Sequence, residues 1–203
     1  MNIANIYWEN RFDVGTKHHS NQNAEITTDF IKTISEKINT ILLSNNSVIE
    51  IGCGTGELTY ELSKIYDFNI TGTDLSKNAI DFANKNYSSD KVDYKVFDCI
   101  NDEIDESFDL VICSNTLEHF KDPYKLIDKM LCIADNLIIL VPYNQPITDG
   151  YECEGGAGHV FHFKDDSFIN YDVMEWYKFS TNGWQHSSGG ETPLQLCVWL
   201  KRK

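Results

Sequence analysis

The chain has 203 residues, of which 41% are hydrophobic and 24% charged, a length and composition that allow a buried core and exclude wholesale disorder. Its 31 acidic residues outnumber the 17 basic ones, and because the net charge of −14 repels phosphate groups, we expect neither nucleic acid nor a membrane as partner. The six cysteines include no CxxC pair, which favours reduced thiols. The sequence also has no apolar run that could span a bilayer and no signal-peptide pattern at the N-terminus, so we expect a cytoplasmic protein.

The first part of the chain divides into an arm and a helix. Residues 1–23 are polar and aromatic without steady periodicity, which is typical of an arm or lid. Over residues 24–43, apolar side chains recur at helical spacing, and this pattern predicts an amphipathic helix of about five turns.

Strands and helices then alternate. Short apolar runs predict five strands, and amphipathic segments between them predict three helices, one with Ser76 as its N-cap. Such alternation indicates βαβ units and a mostly parallel sheet. The predicted strands cover residues 47–51, 69–73, 92–97, 108–113 and 137–141, and the predicted helices cover 57–65, 76–86 and 123–134.

After residue 142 the pattern loosens. A glycine-rich loop at 154–158 precedes two aromatic-rich strand candidates at 169–179 and 194–200, the second of which is apolar enough to be a central strand. A turn and a Ser/Gly-rich loop at 182–193 join them, so we expect an antiparallel hairpin at the edge of the sheet.

The strongest functional signal is a glycine turn directly after the first strand, in residues 48–56 (VIEIGCGTG). Its G-x-G-x-G spacing lets backbone N–H groups approach a ligand but differs from the G-x-G-x-x-G of dinucleotide binders. Glu50 would repel a pyrophosphate and suits an ammonium or sulfonium group. Asp74, 22 residues after Gly52, can bind both hydroxyls of a ribose, and Asp98 can meet an adenine amino group. Three acidic residues at three strand ends predict a cationic nucleoside as ligand.

With these residues the chain resembles the class I S-adenosylmethionine-dependent methyltransferases, in particular the members that modify small molecules and glycans. The matching segments are VIEIGCGTGEL, TGTDLS, VFDCI and FDLVICSNTLEHF, and the resemblance covers roughly residues 25–141. It implies S-adenosylmethionine as cofactor and an α/β fold: a Rossmann-like, seven-stranded, mostly parallel sheet with an antiparallel C-terminal hairpin and helices on both faces.

The resemblance also assigns cofactor contacts. The glycine turn and Glu50 should line the methionine end, Asp74 should hold the ribose, and the residues after the third strand should meet the adenine. The aromatic arm, YWENRF, should close over the cofactor with its Arg near the carboxylate, although ordinary surface packing of the arm remains an alternative. The assigned residues are Tyr7, Trp8, Arg11, Glu50, Gly52, Cys53, Gly54, Asp74, Leu75, Asp98, Cys99, Ser114 and Asn115.

The histidines are the candidate catalytic residues. Ligands of such folds lie beyond the carboxyl ends of the strands, so the arm and the loops after strands four and five should form the acceptor pocket. His119 in the LEH segment is the preferred base for a hydroxyl acceptor, because an ordinary His titrates near neutral pH. The other candidates are His159 and His162, which lie in a GHVFHF segment. In the family a short helix follows this segment, and here it would cover residues 164–169. Bracing of the loops is the alternative role for all three.

Some RNA 3′-end methyltransferases of the superfamily bind a divalent ion at an E-x-x-E-H segment, but Asn115 replaces the first Glu here, so we expect no metal ion. We interpret residues 1–203 as a single domain: an arm at 1–23, a cofactor-binding core at 24–141, and an acceptor loop with the hairpin at 142–203. The expected function is O-methylation of a small polar metabolite such as a sugar, nucleotide-sugar or surface-polysaccharide precursor. The alternatives are methylation of nitrogen or of a protein, and cofactor binding without catalysis. The sequence leaves the oligomeric state open.

Overall fold

The computed structural model describes residues 3–13, 17–42, 46–144, 158–180 and 194–203. Its seven strands form one sheet in the order β3-β2-β1-β4-β5-β7-β6. The first five strands are parallel, and β7 runs antiparallel between β5 and the edge strand β6. The strands are β1 Ser47–Ile51, β2 Asn69–Asp74, β3 Val92–Val96, β4 Leu110–Ser114, β5 Asn136–Pro142, β6 Asp172–Ser180 and β7 Leu194–Lys201.

Helices cover both faces of this sheet. On one face α5 packs against alternate side chains of β1, β4, β5 and β7, and on the other α2 and α3 pack against the intervening side chains. Burial on both faces explains why the central strands are continuously apolar rather than alternating. The helices are α1 Ile3–Asp13, α2 Lys17–Ile41, α3 Glu57–Ile65, α4 Lys77–Asn86 and α5 Pro123–Ile133, with a short 3₁₀ helix at Leu117–His119. The predicted Rossmann-like α/β fold, with its antiparallel C-terminal hairpin, is confirmed.

The local start signals also agree with the sequence. The Ser76 hydroxyl accepts a hydrogen bond from the Ala79 N–H and caps α4, and Pro123 stands in the first turn of α5, where its missing N–H costs nothing. The five cysteines of the described residues are free thiols, and Cys153 lies outside them. Within the same residues, no helix combines the length and the apolar character needed to cross a bilayer.

Two local predictions were wrong. The arm contains helix α1 over residues 3–13, for which the sequence shows no helical signal, and α2 begins at Lys17 rather than near residue 24 as predicted. The face that α1 presents to the protein mixes aromatic side chains with Glu9, so it produces no apolar stripe that a periodicity search could detect.

The second difference concerns residues 164–169, which form successive turns instead of a short helix. The N–H of Ser167 donates to the carbonyl of Lys164, while the Ser167 hydroxyl accepts from the N–H of Lys164 at 2.8 Å. Such side-chain bonds to the backbone compete with a helix. The predicted glycine-rich loop, apart from Gly158, and the loop at 182–193 lie outside the described residues.

Candidate active site

The glycine turn leaves the carboxyl end of β1 and packs against the loop that follows β4. Gly52 and Gly54 have positive φ angles of 79° and 52°, a conformation that disfavours residues with a side chain. A Cβ atom on Gly52 would overlap the side chain of Thr116, whereas one on Gly54 would lie 3.7 Å from the ring of Phe12. The turn therefore contacts the β4 loop on one side and the N-terminal helix on the other.

Asp74 joins the glycine turn to the start of α4. One carboxylate oxygen accepts the Gly54 N–H at 2.8 Å, and the other accepts the Ser76 N–H at 2.9 Å. Burial raises the pKa of Asp74, while these two bonds act in the opposite direction. A carboxylate has about four lone-pair positions, so this one retains acceptor capacity for the hydroxyls of a ribose. The ribose contact of Asp74 and the adenine contact of the neighbouring, half-buried Leu75 stay predictions.

Glu50 lies beneath the glycine turn rather than at its rim. Its side chain is 2% exposed and accepts a hydrogen bond from the Thr59 hydroxyl. Burial raises its pKa from 4.5 to about 7, and the nearby Asp74 adds to the rise. Cys53 is also buried, packed against Ile80 and its neighbours, and burial raises the pKa of its thiol well above the usual value. Both residues support the turn from below, and their predicted cofactor contacts remain untested.

Asp98 forms the turn that follows β3. Its carboxylate accepts the N–H of Ile100 at 3.0 Å and the side-chain amide of Asn101 at 2.7 Å. Cys99 packs against the core on the α5 face, and burial raises the pKa of its thiol to about 12. The structure therefore gives Asp98 and Cys99 local structural contacts, and their adenine contacts stay predictions.

Asn115 has the strained backbone expected of a functional position. Its φ of 47° is unusual for a residue other than glycine, and its N–H donates to the carbonyl of Leu140 at 2.8 Å. The side-chain oxygen is buried without a hydrogen-bond partner among the described residues, while the side-chain nitrogen reaches the Ser114 hydroxyl at 3.5 Å. Ser114 and Asn115 thus stand at the mouth of β4, where the sequence predicts contacts with the cofactor and acceptor.

The N-terminal helix α1 covers the site. The ring of Trp8 contacts the ring of His119 edge-on, with centroids 5.0 Å apart, and Phe12 lies above Gly54 one turn further along. Arg11 donates to the Tyr7 hydroxyl at 2.8 Å and lies over the Trp8 ring. The arm thus lies at the glycine turn, and both its closing over a cofactor and the contact of Arg11 with a cofactor carboxylate remain predictions.

Glu9 holds this helix in place, a role that the sequence analysis missed. Its carboxylate accepts the Lys77 N–H at 2.8 Å and the Asn78 N–H at 3.1 Å, and the Ser76 hydroxyl at 3.1 Å. A carboxylate at this position satisfies free N–H groups of α4 and suits the positive end of the helix dipole. No local pattern marks such a contact, because the two partners are almost 70 positions apart.

A second group of side chains lies where the loop after β4 meets the segment that begins at Gly158. The Oε1 atom of Glu118 is 3.9 Å from Nε2 of His119 and 3.9 Å from Nε2 of His159. The Nδ1 atom of His119 lies 3.1 Å from the carbonyl of Gly158, and the carbonyl of Glu118 accepts the Val160 N–H at 2.8 Å. These bonds join two loops that are 40 residues apart. We call Glu118, His119 and His159 the Glu-His-His cluster.

Burial governs the charges of this cluster. It raises the pKa of Glu118 from 4.5 to about 8 and lowers the pKa of His119 from 6.5 to about 4, with His159 adding to the second effect. His119 is therefore neutral at physiological pH and a weaker base than the sequence predicted. His162 binds Asn144 Oδ1 at 3.1 Å and is not part of the cluster in the described structure.

Comparisons with known proteins agree with this geometry. Residues 49–133 match the family described as "methyltransferase domain". The ubiquinone biosynthesis O-methyltransferase of Hydrogenovibrio crunogenus is 29% identical over 130 residues, which cover 62% of this chain and 49% of that protein. Phosphoethanolamine N-methyltransferase 3 of Arabidopsis thaliana is 30% identical over 101 residues, which cover 48% of this chain and 21% of that protein. The chain spans less than half the length of both relatives.

Solved structures share the fold over the whole chain. A methyltransferase from Anabaena variabilis, described as dependent on S-adenosylmethionine, superposes with a TM-score of 0.71 at 16% identity, covering 100% of this chain and 96% of that one. Magnesium protoporphyrin IX methyltransferase from Synechocystis, solved with bound S-adenosylhomocysteine, gives a TM-score of 0.68 at 15% identity with the same coverage.

Proposed function

We propose that this member of the class I S-adenosylmethionine-dependent methyltransferases transfers the methyl group of its cofactor to a hydroxyl oxygen of a small polar metabolite. One observation carries the proposal. The glycine turn, to which we assign the binding of the methyl donor, packs directly against Thr116. The Glu-His-His cluster begins two residues after Thr116, at Glu118. A donor site and a group of proton acceptors are therefore adjacent, as methylation of a hydroxyl requires.

The donor side consists of the glycine turn and the acidic residues around it. S-adenosylmethionine carries a sulfonium, an ammonium and a ribose with two hydroxyls. We assign Asp74 to the ribose hydroxyls, because its carboxylate retains acceptor capacity beside the glycine turn, and we assign the backbone of that turn to the methionine part. The buried oxygen of Asn115, which has no partner among the described residues, is available to a polar group of the bound cofactor or acceptor.

The acceptor side consists of α1, the loop after β4 and the segment from Gly158. In the reaction, the hydroxyl oxygen attacks the methyl carbon in line with the carbon–sulfur bond, and the sulfur leaves with the bonding electron pair. The hydroxyl proton must leave as the new bond forms. The Glu-His-His cluster lies against the ring of Trp8. The Glu118 carboxylate and the His159 imidazole are the proposed acceptors of this proton, because the lowered pKa of His119 makes it a weak base.

A sugar, nucleotide-sugar or surface-polysaccharide precursor is the proposed acceptor class. The support comes from the arm sequence YWENRF, whose Trp8 forms the roof of the acceptor side, and from the net charge of −14, which disfavours large anionic acceptors such as RNA. The names of the relatives include both an O-methyltransferase and an N-methyltransferase, so the choice of oxygen rests on the cluster.

The test is methyl transfer from labelled S-adenosylmethionine to a panel of sugars, nucleotide-sugars and amines, with the products identified by NMR. We expect labelled O-methyl products and a roughly 10²- to 10⁴-fold lower turnover for Glu118→Gln and His159→Gln. Glu57→Gln is the matched control, because Glu57 is half-buried and bonded to Tyr87 outside the site. Transfer of the label to an amine or to a protein would contradict the assignment of a hydroxyl acceptor. Cofactor binding without methyl transfer to any acceptor would indicate a protein that binds the cofactor without catalysis.

A further inference from the structure

The Glu-His-His cluster brings one buried carboxyl group and two imidazole rings together. The Nδ1 atom of His119 faces the Gly158 carbonyl and must carry its proton there, so the Nε2 atom presents a lone pair to Glu118. Glu118 Oε1 lies 3.9 Å from that atom and 3.9 Å from Nε2 of His159, both too far for a hydrogen bond.

Glu118 is also short of partners for a buried carboxyl group. The residue is 1% exposed, and its Oε2 atom has no hydrogen-bond partner within the described part of the chain. Among the ion pairs of those residues, none joins Glu118 to a Lys or Arg. A carboxyl group in this position needs either its own proton or a bound cation.

We infer that Glu118, His119 and His159 bind a divalent metal ion of the zinc type. Each residue offers one ligand atom, and these atoms lie within 4.8 Å of one another. Tetrahedral ligand atoms on one zinc ion lie about 3.3 to 3.6 Å apart. The two separations of 3.9 Å need a contraction of a few tenths of an ångström to reach this range, and the remaining pair, which lies within 4.8 Å, needs at most about 1.5 Å. Two His and one Glu form a donor set of catalytic zinc, which keeps one position open.

The surroundings of the ligands support the same inference. Metal-binding His side chains usually donate their second N–H to a carbonyl or carboxylate, which orients the ring, and His119 makes this contact with Gly158. The expectation of no metal rested on Asn115, which replaces a fourth protein ligand. Three ligands with an open position do not require that residue, and His159 reaches the cluster from a different loop.

The role of the ion rests on the proposed function. Its open position would bind the acceptor hydroxyl, lower the pKa of that hydroxyl and so favour loss of the proton during methyl transfer. In that case His119 and His159 hold the ion, and neither imidazole acts as the base.

The test measures metal binding directly. The full chain is freed of metal with a chelator and titrated with Zn²⁺ in competition with a chromophoric chelator, and Co²⁺ serves as a visible probe of the ligands. We expect one equivalent of tightly bound ion, and binding at least about 100-fold weaker in Glu118→Gln and in His159→Gln. His162→Gln is the matched control, since His162 lies in the same segment outside the cluster, and it should bind Zn²⁺ as the wild type does.

Two results would overturn the inference: no stoichiometric binding, or equal binding by both variants and the wild type. Circular dichroism and the affinity for S-adenosylhomocysteine show whether each variant is folded. If Glu118→Gln does not fold, His159→Gln alone decides, because its ring is partly exposed. Full methyl transfer by the chelator-treated protein would refute the metal and leave the proposed function intact. Stoichiometric binding without methyl transfer would support the site and refute the function.

Discussion

Replacing Asp74 with Asn removes one negative charge at the end of β2 and keeps the size of the side chain. In the structure, the two carboxylate oxygens accept the N–H groups of Gly54 and Ser76 at 2.8 and 2.9 Å. An Asn side chain can accept only one of them with its oxygen, and its NH₂ group then faces the other N–H. The substitution therefore tests the folded turn and the binding of the ribose at the same time.

The two effects have different expected sizes. An unsatisfied backbone N–H costs about 1 to 3 kcal/mol of folding free energy. Burial already raises the pKa of Asp74, so loss of its charge relieves part of the desolvation cost, and we expect a net loss near the lower end of that range. Loss of charged hydrogen bonds to the ribose should weaken cofactor binding by about 1.5 to 3 kcal/mol, or roughly 10- to 150-fold.

Calorimetric titration with S-adenosylhomocysteine measures the affinity, and denaturant unfolding measures the stability. The matched control is Asp109→Asn, because the Asp109 carboxylate also accepts a backbone N–H, that of Ser47 at 2.8 Å, at the opposite end of β1. We expect Asp109→Asn to lower stability without changing cofactor affinity. An unchanged affinity in Asp74→Asn, together with lower stability, would refute the ribose assignment and leave Asp74 as a brace of the turn.

Three further predictions concern the turn and the helix above it. Gly52→Ala should lower the melting temperature more than Gly54→Ala, since both have positive φ but only Gly52 is packed against Thr116; equal shifts would contradict the packing argument. Glu9→Ala should destabilise the protein by about 1 to 2 kcal/mol in urea unfolding and expose α1 to proteolysis, because it removes the acceptor of the Lys77 and Asn78 N–H groups; a loss below a few tenths would refute this contact. Burial raises the pKa of Glu50 from 4.5 to about 7, so the folded protein holds a proton that the unfolded chain releases. The contribution of Glu50 to stability should be fully present below pH 4.5 and be lost at up to about 1.4 kcal/mol per pH unit up to pH 7. Glu50→Gln should therefore reduce the slope of stability against pH in urea unfolding, while Glu118, whose pKa is also raised, keeps its own contribution; an unchanged slope would contradict the burial of a titrating Glu50.

The sheet and its helices could be predicted because their signals are local. The central strands β1, β4 and β5 are short apolar runs, and each helix between the strands has its own apolar face. The β6–β7 hairpin was also predictable, because β7 is apolar enough for a strand with neighbours on both sides. Helix α1 lacked such a signal, since its contact with α4 depends on Glu9, a residue that usually faces water.

The contact between the glycine turn and Asp74 was predictable for a related reason. The glycine turn and Asp74 lie at the carboxyl ends of adjacent parallel strands, so their sequence positions already place them together. The hydrogen bond from the Gly54 N–H to the Asp74 carboxylate shows that the two are in contact. The structural contacts of Glu50 and Asp98 were not predictable, because an acidic residue at a strand end can point beneath the turn or cap its own loop equally well.

The acceptor side depends on facts that a single sequence does not contain. The ordinary pKa of His made His119 the preferred base, but burial under Trp8 and beside His159 lowers that pKa to about 4. The role of an imidazole depends on what each of its two nitrogens faces, and for His119 these partners are Gly158 and Glu118. Gly158 comes from another loop, and the neighbouring Glu118 becomes significant because it is buried beside two imidazole rings. The same LEH triplet on an exposed loop would hold an ordinary histidine, so the chemistry arises from the contact between the two loops.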